Sequence, residues 1–168
     1  MKTPYNEIVN IASIGSQTNP ISLNEILRKA NDEQLTPAAQ NKERVLFLGI
    51  DVQQDFMDNG ALGVPGAHGD VERMTQFIYN NMDKITNIAV SIDTHTPHQI
   101  FHPCWWIDEN GNNPVPYTPI TLADLDSGKY RAVIYPRQSR DYVEHLEKDG
   151  KKTLCVWSYH CLQGTSGA

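Results

Sequence analysis

Residues 45–56 read Val45-Leu46-Phe47-Leu48-Gly49-Ile50-Asp51-Val52-Gln53-Gln54-Asp55-Phe56, an apolar run that stops at a carboxylate. A short unbroken run of Val, Leu, Phe and Ile is what a strand buried on both faces requires, as in a parallel sheet with helices on either side. Asp51 then stands at the carboxyl end of that strand. Ligands bind at this edge of open α/β sheets, so position alone makes Asp51 a candidate site residue. The competing role is structural: Asp51 ends the strand and hydrogen-bonds the loop behind it.

Downstream, residues 58–67 are so rich in Gly and Pro that they predict a loop lying over the sheet edge. Asp70 is placed to cap a helix. Its apolar residues Val71, Met74, Phe77, Ile78, Met82 and Ile85 recur at spacings of three and four, making one sheet-facing stripe. A second apolar run, 88–92, follows at once, and strand, helix, strand over this length describes a right-handed βαβ unit. This strand also ends in a carboxylate and continues Asp93-Thr94-His95-Thr96-Pro97-His98-Gln99-Ile100-Phe101-His102.

Upstream, residues 1–44 are polar with scattered apolar positions and predict an N-terminal extension lying on a domain that spans 45–168. Within the extension, Ser22 and Glu25 form a capping-box pattern, and Thr36-Pro37 can open a second short helix. Residues 104–137 look irregular, with Trp105, Trp106, Tyr117 and Tyr130 expected at the surface of a long excursion that shapes or covers a pocket. Ser139 is expected to cap a helix through Tyr142, Val143 and Leu146, ended by Gly150. A third strand, 153–157, leads into Ser158-Tyr159-His160-Cys161. The fold class expected is α/β, a three-layer α/β/α arrangement on a mostly parallel, Rossmann-like sheet.

The chain has 168 residues, enough for one domain with a real core. Fourteen basic residues against twenty acidic ones leave a net charge of -6, with no basic cluster able to follow a phosphate backbone, which argues against nucleic acid. No apolar segment approaches a membrane span and the first residues lack a signal-peptide core, so a cytoplasmic, membrane-free protein is expected. Cys104, Cys155 and Cys161 are odd in number and form no Cys-x-x-Cys pair, which argues against a disulfide framework or an all-thiolate metal site. Gly-x-Gly-x-x-Gly is missing after the first strand, and Asp51 and Asp55 would repel a pyrophosphate, so a dinucleotide site is not expected.

Asp93 and His95 lie two apart on a strand leading into a loop, so their side chains can converge on one ion. A carboxylate with an imidazole suits zinc, iron or manganese better than calcium or magnesium, which prefer oxygen. A third ligand is then needed. His160 is the natural donor if the third strand lies beside the second, with His102 and His98 as competitors from the nearer loop. The alternative is that all of these are hydrogen-bonded loop histidines.

Taken together, Ile50-Asp51-Val52-Gln53-Gln54-Asp55-Phe56, the loop Gly60-Ala61-Leu62-Gly63-Val64-Pro65-Gly66-Ala67, Asp93-Thr94-His95, and Trp157-Ser158-Tyr159-His160-Cys161 with Gly164-Thr165 resemble the successive motifs of one family. It is the nicotinamidase branch of the isochorismatase-like cysteine hydrolases, and the resemblance runs from about residue 45 to the last residue. It implies a six-stranded, mostly parallel sheet between helices. It further implies Asp51 as catalytic carboxylate, Asp93, His95 and His160 as ligands of a divalent metal, and Phe56 and Trp157 as walls of a flat aromatic pocket. The implied reaction hydrolyses a small carboxamide such as nicotinamide, in NAD metabolism. A thiolate attacks the amide carbon, ammonia leaves, and water hydrolyses the thioester, assisted by a lysine and oxyanion-stabilising N–H groups.

Two departures bear on this. Trp157-Ser158 stands where the family often has Trp-Pro, and the chain ends eight residues beyond His160, before the positions of the family's lysine and nucleophilic cysteine. The expectation is therefore an N-terminal portion of the family fold, inactive alone and completed by a C-terminal segment or as a homo-oligomer. The alternatives are a non-catalytic metal-binding or regulatory module, and direct hydrolysis with Asp51 as general base for a metal-bound water.

Overall fold

In the computed structural model, which describes residues 1–16 and 18–168, the backbone divides into two units, residues 1–59 with 63–92 and residues 60–62 with 93–168. The chain is α/β, with helices and a parallel sheet.

In the first unit, helix α1 (Leu23–Glu33) starts at Ser22 as expected, but the Ser22 side chain makes no capping bond. Glu25 pairs instead with Lys29, 3.1 Å away and one turn on. The Glu33 carboxylate accepts the backbone N–H groups of Lys2 (2.7 Å) and Thr3 (2.6 Å), and this ties the start of the chain to the end of α1. Thr36-Pro37 leads only into a single 3-10 turn, Ala38–Gln40.

Strand β1 (Leu46–Gly49) and strand β2 (Asn87–Val90) pair in parallel, Leu46 opposite Asn87 and Gly49 opposite Val90, with helix α2 (Ala67–Asn80) between them in sequence. The helix starts earlier than Asp70 because a different carboxylate caps it. Asp58 accepts the N–H groups of Gly66 (2.6 Å) and His68 (2.8 Å), and Gly66 takes the left-handed φ of 87° that a side chain would oppose. Asp70 lies inside the first turn, paired with Arg73.

The expected burial of the opening strand on both faces is not found. Leu46, Leu48 and Ile50 are 59%, 52% and 61% exposed, and Ile88, Val90 and Ile92 are similarly open. The cause is geometric: among the described residues no third strand pairs with β1 or β2, while on the α2 side Phe77 meets Phe47, ring centroids 6.0 Å apart.

The second unit overturns the expectation of an irregular excursion. Residues 104–137 contain strands β3 (Trp106–Asp108) and β4 (Pro119–Ile120), helix α3 (Leu122–Asp126) and strand β5 (Tyr130–Ala132), followed by helix α4 (Pro136–Lys148) and strand β6 (Leu154–Cys155). Both pairings here, β3 with β5 and β4 with β6, are antiparallel. Trp106, Ile120, Ala132, Val143, Leu154 and Val156 form one buried cluster, so the supposed pocket cover supplies much of the core. Trp106 is wholly buried, and its indole N–H donates to the Ile100 carbonyl at 2.6 Å, which meets its one polar requirement. Thr121 and Asp124 close a capping box on α3. Ser139 is not a cap. Helix α4 begins at Pro136, whose fixed φ suits a first turn, and the buried Ser139 hydroxyl accepts the Trp105 indole N–H at 2.9 Å. No helix among the described residues is long and apolar enough to cross a membrane.

Candidate metal centre

Asp93, His95 and His160 are brought together, but not by the route the sequence indicates. β6 pairs with β4, so the third strand does not lie beside β2. What delivers His160 is a backbone staple just after it. The His95 N–H donates to the Cys161 carbonyl and the Gln163 N–H donates to the His95 carbonyl, each at 2.9 Å, forming a one-residue parallel bridge between His95 and Leu162. Cys161 is fully buried and adopts a left-handed φ of 46°, which turns the chain into that bridge.

One donor atom from each of the three residues lies within 4.8 Å of the others. His95 Nε2 is 2.7 Å and His160 Nε2 is 3.7 Å from the same oxygen, Asp93 Oδ2. His160 is 5% exposed, and its Nδ1 lies 2.7 Å from the Ser158 carbonyl. A carbonyl can only accept, so Nδ1 carries a proton and Nε2 is the nitrogen turned toward Asp93, the arrangement that an orienting partner gives a ligating histidine. One carboxylate and two imidazoles suit zinc, iron or manganese, so the donor chemistry fits such an ion.

His102 stands next to this group without joining it. Its ring is wholly buried, 5.8 Å from that of His95 and 6.0 Å from that of His160, yet it is not among the three convergent donors. Its Nδ1–H donates to the Pro97 carbonyl at 3.0 Å. Burial pushes the imidazole below its ordinary value, and the neighbouring His160 and His95 push the same way. His98 is exposed.

Asp51 and Phe56 belong to the first unit, where both line a cleft of about 370 Å³ with Gly49, Val52, Val71 and Met74. Asp51 adopts φ 51°, a left-handed backbone that Asp tolerates better than most residues. Ser91 holds it there: the Ser91 hydroxyl donates to Asp51 Oδ1 at 2.6 Å and accepts the Asp51 N–H at 3.0 Å. Ser91 is not among the residues that the sequence pattern singles out. The available signal was a lone hydroxyl inside the otherwise apolar run 88–92. In the second unit Trp157 is 38% exposed, and Tyr117 meets its ring edge-on at 5.9 Å.

None of the three cysteines is placed as an activated nucleophile. Cys161 is fully buried, burial raises the Cys155 thiol above its ordinary value, and the Cys104 thiol donates to the Pro97 carbonyl at 3.1 Å. Lys129 is exposed and paired with Asp124 at 2.8 Å, while Lys151 and Lys152 are exposed.

Fold and side chains thus define an α/β protein with a compact Asp/His cluster of metal-ligand type. No protein-family model matches the chain, and no curated protein matches it. Among solved structures it is similar to the yeast nicotinamidase Pnc1p, crystallised with the inhibitor nicotinaldehyde, at 18% identity and a TM-score of 0.46. The match covers 75% of this chain and 47% of that one, so the chain spans about half the length of the enzyme it resembles. The functional reading rests on the side chains.

Proposed function

We propose that this chain carries the metal-binding part of a nicotinamidase-like amidohydrolase, which converts a small carboxamide such as nicotinamide into its acid and ammonia through a cysteine thioester. The observation that carries the reading is the convergence of Asp93, His95 and His160 within 4.8 Å. These three residues would hold a divalent ion, zinc in the first instance and iron or manganese otherwise, which when bound anchors the substrate and draws electron density from its ring. Phe56, in the first unit, and Trp157, in the second, each offer flat apolar surface of the kind on which an aromatic ring stacks. Asp51, held by Ser91, takes the thiol proton and returns it to the departing amine.

The thiol itself is contributed by a completing C-terminal segment, because Cys104, Cys155 and Cys161 are all in unreactive surroundings and a second copy would bring only the same three. The apolar residues left open on β1 and β2 support the same need for a covering polypeptide. The cysteine placement also favours a second reading, a metal-binding or regulatory module of this fold that performs no chemistry.

Metal content and ammonia release test these readings together. The purified chain should retain about one equivalent of zinc or iron, and the His95→Ala, His160→Ala double variant should retain none; equal metal in both discards either reading. Ammonia formed from nicotinamide only after a completing segment is added supports the amidohydrolase. Turnover by the chain alone, surviving Cys161→Ala, refutes the external thiol.

A further inference from the structure

In the first unit the N-terminal extension, α1 and α2 enclose a partly open cavity of about 290 Å³. Its apolar walls come from Ile8 and Val9 of the extension, Ile26 and Ala30 of α1, Ile78 of α2 and Met82 just beyond that helix. Five polar side chains also line it, and each is engaged by protein, the Thr3 hydroxyl through a hydrogen bond to the Glu33 carboxylate. Glu33 accepts the Lys2 and Thr3 N–H groups at 2.7 and 2.6 Å. Lys29 pairs with Glu7 at 3.0 Å and Glu25 at 3.1 Å. The Tyr79 hydroxyl donates to the Thr3 carbonyl at 2.8 Å, and the Thr75 hydroxyl meets that of Tyr5 at 2.7 Å.

We infer that this cavity is a binding site for a neutral, apolar molecule of about ten heavy atoms. Two observations select that class. A charged or strongly hydrogen-bonding ligand would give up water and find every lining polar group already committed, at a cost of roughly 2–7 kcal/mol per unsatisfied group. The volume is roughly twice the ~150 Å³ of an apolar cavity that stays dry and accepts benzene, which corresponds to two fused rings or a chain of similar bulk. Filling it removes the void and presses the extension onto both helices, so occupancy stabilises the clasp between the extension and α1. The site is independent of the proposed hydrolase chemistry.

The test uses the full chain with naphthalene as probe and 2-naphthoate as its charged counterpart. Naphthalene is expected to raise Tm saturably by about 2–4 °C near saturation and to shift amide resonances around Ile8, Ile26 and Ile78, while 2-naphthoate binds at least tenfold more weakly. Ala30→Phe, which fills the space, should abolish the Tm shift; should that variant not fold, the resonance map of the unaltered chain decides. No Tm shift, shifts confined to Leu46, Leu48 and Val90, or equal binding of the naphthoate overturns the inference.

Discussion

His160 shows how a single side chain is prepared for coordination. Its Nδ1–H is spent on the Ser158 carbonyl, which leaves the other ring nitrogen turned toward Asp93. Removing that ring should weaken metal binding by more than the ~10–100-fold that loss of an outer-shell partner causes. Zinc titration of His160→Ala against the unaltered chain measures this, and equal affinity would exclude His160 as a ligand. Glu33 offers a pH test at the same scale. The Thr3 hydroxyl, then the backbone N–H groups of Lys2 and Thr3, donate to its carboxylate and lower it from 4.5 to about 2. A carboxyl lowered in the folded state contributes stability that is complete above its unfolded value and lost as the pH falls through its folded value. The extension should therefore loosen from α1 between about pH 4.5 and 2. Amide exchange of residues 1–9 across that window reports it, and in Glu33→Gln the dependence should vanish.

Among the elements, α2 depends on a residue outside itself. Asp58 sits low in its titration because the His68 and Gly66 N–H groups donate to it, and those are two of the donors that a helix start leaves unmet. Asp58→Ala should fray the first turn of α2, lowering amide-exchange protection at residues 67–70 while leaving the later turns intact; unchanged protection there would show that Gly66 alone suffices. β3 depends on burial instead. Trp106 has no exposed surface and holds its indole N–H in place on Ile100, so Trp106→Ala should cost about 3–5 kcal/mol by denaturant unfolding. A loss under about 1 kcal/mol would mean that the β3–β5 core is not the centre of the second unit's stability.

For the molecule as a whole, the decisive feature is the apolar surface left on β1 and β2. Leu46, Leu48, Ile88 and Val90 of the parallel pair, with Ile50 and Ile92 just past its strands, are each about half exposed or more, and among the described residues no further strand pairs with either. Such a surface invites pairing with another chain. Sedimentation velocity should show concentration-dependent association, and Leu48→Lys with Val90→Lys should suppress it without loss of the α2 helical signal. A monodisperse monomer of the unaltered chain at high concentration would contradict the need for a covering polypeptide.

Much of this was legible from local pattern. The two apolar runs, the helix between them and the carboxylate at the end of each run follow from periodicity and turn chemistry, because those signals act between near neighbours. Asp93 and His95 could be paired on spacing alone. The sequence by itself determined the residue types of the metal cluster and the parallel strand–helix–strand order. Only tertiary structure decided how His160 arrives, through backbone bonds between His95 and residues 161–163 that no side-chain pattern encodes. It also decided that 104–137 forms a core and not a cover, since Trp106 and Ile120 become buried only when β5, α4 and β6 close over them. The physical reason is common to both cases: burial and long-range backbone pairing depend on which distant segment occupies the space opposite, and a residue's own neighbours in sequence do not specify that.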